Sequence, residues 1–193
     1  MPSVKSIKKT MQEKAIPADT LSQFNFPKSQ GNQPLEVISL IDQMDNLLTQ
    51  EQRVTIMEEQ GCHKTGHLDR INKQFAETHK GKSLEDRILL LRNSNVEPNV
   101  PCHLNDDGTI SIYWGIGEKD NYQCVCKCIR RLKKEQPEIQ DISKTFCGCC
   151  GGHIKYHYSN VLGVKLKLKE IVSSPLSSNG KNHCEFLFDI AAE

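Results

Sequence analysis

The sequence predicts an α+β protein, with an N-terminal helical layer packed on a C-terminal antiparallel sheet that carries one prominent helix. Three observations predict it. Apolar residues recur at three- and four-residue spacing from Leu35 to Leu91, the signature of amphipathic helices. Beyond Pro98 and Pro101 the period falls to two, as in strands. Six of the nine cysteines lie in that second half in two knots, Cys124-Val-Cys126-Lys-Cys128 and Cys147-Gly-Cys149-Cys150.

Residues 1–34 read as a flexible N-terminal tail, rich in Pro, Ser, Gln and Lys and closing on the linker Gly31-Asn32-Gln33-Pro34. Phe24 and Phe26 are its candidates for docking. Residues 35–97 read as the helical region. Val37, Ile41, Met44 and Leu48 make one stripe. Thr49 with Gln52 has the spacing of a capping box and opens a second helix, with Val54 and Met57 inside and a stop at Gly61. Leu68, Ile71 and Phe75 mark a third helix ending near Gly81. Ser83 with Asp86 caps a fourth, carrying Leu84, Ile88 and Leu91.

Residues 98–193 form the Cys-rich α+β region. Asn105-Asp106-Asp107-Gly108 is a turn, and Thr109 to Trp114 alternates as a strand. An extended segment from Tyr122 to Cys128 puts Cys124, Cys126 and Cys128 on one face, because strand side chains alternate. Ile129 to Gln136 is charged and helical. Gly151-Gly152 opens a helix with the inner stripe Cys150, Ile154, His157 and Val161, flanked by His153 and ended by Gly163. Val164, Leu166 and Leu168 alternate with lysines, and Cys184, Phe186, Phe188 and Ile190 share one face of a last strand. These two strands form a hairpin that carries Cys184 to the buried side.

With 37% hydrophobic and 25% charged residues, the 193-residue chain can bury a core. A formal net charge of +1 gives no global field for nucleic acid or anionic membranes. No apolar run is long enough to span a bilayer and no signal-peptide core follows Met1, so a cytoplasmic protein without a membrane partner is expected. The N-terminal segment has lysines but no arginine, and it carries Glu13 and Asp19, unlike a transit peptide. An odd number of clustered cysteines without a secretion signal points to metal or redox chemistry rather than to disulfides.

A thiolate metal site needs several sulfurs converging from separate chain segments. About twenty residues separate Cys126 from Cys147, a familiar loop length in such sites. Cys124, Cys126, Cys147 and Cys149 are the candidate ligands, with Cys128 and Cys150 as substitutes and Cys184 as either ligand or core residue. Zinc is the expected metal, with iron or an iron–sulfur cluster as the alternative. The start of a helix also lowers the pKa of a thiol, so 147–150 suits a reactive nucleophilic or redox thiol equally. Cys62-His63 with His67 is a second, weaker cluster, and Cys102-His103 is a pair that could join the main site. His157 is a candidate supporting partner of the thiols. The basic run Lys127, Arg130, Arg131, Lys133 and Lys134 lacks aromatic residues for stacking and reads as a solvated helix face. Phosphate loops, nucleophile elbows and the H-E-x-x-H motif are all missing from the sequence.

From Cys147 to Ile190 the chain resembles the 4-vinyl-reductase-type small-molecule-binding domain and the related group named for L-2-amino-thiazoline-4-carboxylate hydrolase. The resemblance rests on a Cys-containing segment leading into a helix that ends at Leu162-Gly163, then Glu170, Gly180 and Cys184-Glu185-Phe186 in two strands. Cys124-Val-Cys126 looks like the paired cysteines some members carry upstream. Where the family often has a Cys in the tail of the first strand, this chain has Ser173-Ser174. The resemblance implies helices packed on an antiparallel sheet around a small-molecule pocket, in modules that are mostly sensory or accessory. The expected function is a metal-binding, small-molecule-binding domain that can pair as a homodimer. The alternatives are a metal-dependent hydrolase of a small cyclic C–N or C–S substrate, and a structural or nucleic-acid-binding zinc module.

Overall fold

A computed structural model describes residues 2–28, 33–62, 66–97, 99–135 and 142–191, without the side chains of Lys127 and Cys128. Six helices come first: α1 (Val4–Glu13), α2 (Ala18–Leu21), α3 (Pro34–Leu47), α4 (Gln50–Glu58), α5 (His67–His79) and α6 (Leu84–Arg92). Strands β1 (Cys102–Leu104) and β2 (Ile110–Trp114) follow, then α7 (Lys127–Glu135). A 3-10 turn (Lys144–Cys147) runs into α8 (Gly148–Leu162), and β3 (Leu166–Ser173) and β4 (Cys184–Ile190) close the chain. The fold is α+β, with one antiparallel sheet in the order β1-β2-β4-β3.

The caps form as their spacing predicts. The Gln52 N–H donates to Thr49 Oγ1 at 3.3 Å while the Thr49 N–H donates to Gln52 Oε1 at 2.9 Å. Ser83 Oγ accepts from the Asp86 N–H at 3.1 Å. At the far end of α8, Gly163 stops the helix in the left-handed region, at φ 62°, which costs glycine no Cβ clash.

Two expectations differ from the structure. The first concerns residues 1–34, expected to be a flexible tail. Val4, Ile7 and Met11 of α1 are fully buried, and α1 packs on α3 and α4. Overall composition is polar there, but the apolar residues fall three and four apart and make one helical stripe. Polar groups on the same helix are used as well: Ser6 Oγ donates to Gln60 Oε1 at 2.5 Å, and Gln60 Nε2 donates to Thr10 Oγ1 at 2.9 Å. Phe24 is buried and stacks with Phe26, ring centroids 5.5 Å apart. The second concerns the extended segment from Tyr122 to Cys128. Among the described residues of that segment only Gln123 pairs in a bridge, with Ile116, and α7 already begins at Lys127. Ile129 and Leu132, three apart, bury one face of that helix and decide its extent.

The segment that positions everything else is the start of α8. It lies between α4 and the sheet, and its glycines mark the contacts. A Cβ on Gly148 would stand 2.5 Å from Met57 Cβ, and one on Gly152 would stand 1.8 Å from the Glu58 carbonyl oxygen. These two residues are four apart and so share the helix face turned to α4. A Cβ on Gly151 would instead meet Leu168 Cδ2 at 2.6 Å and the Phe186 ring at 3.2 Å, on the sheet side. At Gly152 the approach is backbone to backbone and leaves no room for any other residue.

Glu58 ties the same three layers together. Its side chain is buried, accepts from the Leu168 N–H of β3 at 3.1 Å, and pairs with Lys155 of α8 at 3.2 Å. Glu58→Ala leaves a buried N–H without its acceptor and an ammonium without its counter-charge. It is expected to cost about 2–4 kcal/mol, read as a lower urea midpoint with an unchanged m-value.

Candidate functional site

Cys147 ends the 3-10 turn, which Ser143 caps by accepting the Thr145 N–H at 3.1 Å. Four residues on, Gly151 faces Leu168 and Phe186, so Cys147 points to the sheet one helical turn earlier. Cys184 lies two residues before Phe186 on the same strand face. The two thiols therefore interact across the α8–β4 junction, with Ser174 beside them. Cys149 and Cys150, on the remaining sides of the α8 start, meet the segment before α7. Cys150 interacts with Cys126 and Cys149, and Cys124 lies near Cys147, Cys126 and Cys149. Six thiols from three segments thus form one connected group: Cys124, Cys126, Cys147, Cys149, Cys150 and Cys184. Cys124, Cys147, Cys149 and Cys184 are buried, while Cys126 and Cys150 are half-buried. All six are reduced cysteines outside any disulfide. The Cys128 side chain lies outside the described residues.

The electrostatics of the group keep the thiols of Cys124, Cys147 and Cys150 protonated. The interaction with Cys184, together with burial, holds the Cys147 thiol well above its ordinary range. Contact with Cys126 and Cys149, together with burial, does the same for Cys150. Burial, reinforced by Cys147, pushes Cys124 up to about 12. Low-pKa nucleophilic cysteines sit beside cations, whereas these thiols have one another for neighbours. As donors they suit a soft or borderline cation, which displaces the protons and neutralises the thiolates. Among the described residues, however, no three His, Cys, Asp or Glu side chains stand in a metal-ligand arrangement. The thiols meet in a chain of neighbours, and side-chain rotation about a cation is required to gather them.

The other candidates are placed elsewhere. Cys102 is buried in β1 near Tyr158 and Arg92, and burial, partly offset by Arg92, pushes its thiol up to about 11. His103 stacks on Tyr113 at 5.5 Å. Cys62 is exposed, with its sulfur 3.8 Å from His153 Nδ1, and His67 is exposed at the start of α5. His63 lies outside the described residues. His157 is buried against the rings of His153 and Tyr156, with centroids 4.5 and 5.2 Å away.

Two cavities lie close to this region, one along the middle of α8 and one against Cys124. One, of about 400 Å³, is lined by Trp114, His153, His157, Tyr158, Val100 and neighbours. Trp114 stacks on His153 at 5.7 Å, and Tyr158 Oη donates to the Val100 carbonyl at 2.7 Å. The other, of about 310 Å³, lies against Cys124, between α7 and the β3–β4 turn. The sequence reading had no signal for Trp114, which only the β2–β4 register sets opposite Cys184. Ser173-Ser174 stands where the resembled pattern often has a cysteine, and Ser174 is the one turned to the site. It is fully buried beside Cys147, while Ser173 donates to the His183 carbonyl at 2.8 Å.

The thiol shifts predict a pH dependence. In the unfolded chain a thiol ionises near 8.5–9. Below that range both states are protonated, and the stabilisation from the raised folded values is fully present. As pH climbs towards the folded values of Cys102 and Cys124, about 11 and about 12, the unfolded chain loses protons first and stability falls. Chelator-treated, reduced protein is expected to show a lower urea midpoint at pH ~10.5 than at pH ~8. The fall should be smaller in Cys102→Ala.

No family model and no curated protein matches the chain. Among solved structures, the chain is similar to the crystal structure of an H-NOX protein from S. oneidensis in the Fe(II)NO ligation state, at 14% identity and a TM-score of 0.27. The match covers 97% of this chain and 89% of that one, and a likeness at that score carries no conclusion about this chain's ligand.

Proposed function

We propose that the protein is a metal-binding, small-molecule-binding module of the 4-vinyl-reductase type, with zinc as the metal and iron or an iron–sulfur cluster as the alternative. The observation that carries this reading is the grouping of six thiols from three chain segments around the start of α8. Cys147 and Cys184 would hold the metal from the α8–β4 side, and Cys124, Cys126, Cys149 and Cys150 from the other. Bound there, the metal supplies the positive charge that lets these thiols ionise, and it fastens the segment before α7 to the sheet. Cys147 and Cys184 would bring the helix start and the interior strand β4 to the centre, Ser174 would support Cys147, and the glycines hold the helix start at fixed depth. The small-molecule ligand is assigned to the cavity against Cys124, because that cavity lies between the thiols and the hairpin turn. Metal content and absorption of anaerobically purified protein test the reading. No helix among the described residues is long and apolar enough to cross a membrane.

A further inference from the structure

The cavity against Cys124 has a chemical bias of its own. Arg130 and Lys133 of α7 line it, three residues apart and thus on one helix face. Both are half-buried, and among the described residues neither forms a salt bridge. Arg130 Nε is buried with no hydrogen-bond partner, which leaves an edge of the guanidinium unsatisfied. Arg131, the next residue, is exposed and already paired with Glu135 at 2.7 Å. The cations of α7 thus divide into a solvated set and an inward set. Opposite Arg130 the wall is the β3–β4 turn with Leu176 and Asn179, and Ile129 adds apolar surface. Among the described residues no carboxylate lines the cavity.

We infer that this cavity takes a small organic anion, a carboxylate or phosphate head on a compact apolar body. A guanidinium edge offers two parallel donors to such a head, and a half-buried ammonium adds charge in a medium that screens it less than water. Ile129 and Leu176 supply the apolar contact that an inorganic ion does not use. A volume of about 310 Å³ lies at the small end of ligand sites. The inference rests on the small-molecule part of the proposed function and is independent of the metal. Because Cys124 forms part of the wall, an anion bound here also lies against the thiol group, so ligand and metal share one side chain.

Calorimetric titration with benzoate, phenyl phosphate, benzamide and inorganic phosphate tests this on the full chain, both as purified and after metal stripping. Benzoate or phenyl phosphate is expected to bind at least about tenfold more tightly than benzamide and than inorganic phosphate. Arg130→Gln should weaken that binding about tenfold or more, whereas Arg131→Gln should leave it unchanged. Circular dichroism of both variants verifies that α7 is retained, and Lys133→Gln provides a second variant if Arg130→Gln is misfolded. No binding of either organic anion at ~20 mM overturns the inference. So does equal binding of benzamide, equal binding of inorganic phosphate, or undiminished binding in both Arg130→Gln and Lys133→Gln. Anion binding by a protein without metal removes only the metal reading, and metal without anion binding removes only this one.

Discussion

Gly152→Ala is expected to destabilise the protein by about 3 kcal/mol or more, which lowers the melting temperature by roughly 6–12 °C for a chain of this size. A Cβ there would stand 1.8 Å from the Glu58 carbonyl oxygen and 2.7 Å from the Glu58 carbonyl carbon, both backbone atoms. No side chain can rotate away to make room. Either α4 or α8 must shift, and both are fixed by Glu58, whose carboxylate binds β3 and α8 at once. The shift also displaces Cys149 and Cys150, which lie within three residues, so metal content should fall with stability. Gly81 is the control. A Cβ there meets nothing within 4 Å, and Gly81→Ala is expected to change stability by less than about 0.5 kcal/mol. Thermal unfolding of the two variants side by side checks the expectation. Equal melting temperatures would show that α4 and α8 do not cross at Gly152.

Cys147→Ser is expected to weaken metal retention by more than the 10–100-fold typical of losing a supporting partner, with the fold kept. The serine hydroxyl is smaller than the thiol, and Ser174 stands beside it to accept or donate a hydrogen bond. Cys184→Ser should act in the same direction, because the two thiols face each other from α8 and β4. Cys102→Ser should leave the metal in place, since Cys102 neighbours Tyr158 and Arg92 in β1. Metal per chain after dialysis against a weak chelator separates the three. Loss from Cys102→Ser equal to that from Cys147→Ser would place the centre elsewhere.

Much of the fold was legible because its signals are local. Thr49-Gln52 and Ser83-Asp86 announce their helices by capping chemistry, and Cys184, Phe186 and Phe188 announce a half-buried strand by alternation. The α1 stripe was readable in the same way, but polar composition concealed it. Gly151-Gly152 reads in the sequence as a helix opening, because sequence shows where a Cβ is missing and not what occupies its place. Met57 and Glu58 supply the reason, from about ninety residues away. At the site, the clustering of cysteines is visible in the sequence, whereas the geometry that joins them depends on tertiary structure. Cys124 and Cys126 were aligned by strand alternation, yet α7 starts immediately after them, so a turn and a helix start bring them to α8 instead. Cys184 follows from the hairpin register, which the alternating pattern did contain. Arg130 and Lys133 were read as part of a solvated face. Their inward direction depends on Ile129 and Leu132 docking α7, a tertiary choice that the charge pattern alone does not reveal.

The thiol group around the start of α8 is proposed to hold a metal. Elemental analysis of anaerobically purified protein, with an absorption spectrum and a thiol titration on the same sample, tests it most directly. The account predicts about one zinc per chain in a colourless protein, or iron with a sulfur-to-iron absorption band, and fewer than the nine thiols of the sequence titrating before denaturation. A protein with neither zinc nor iron, whose nine thiols all titrate freely, would contradict it.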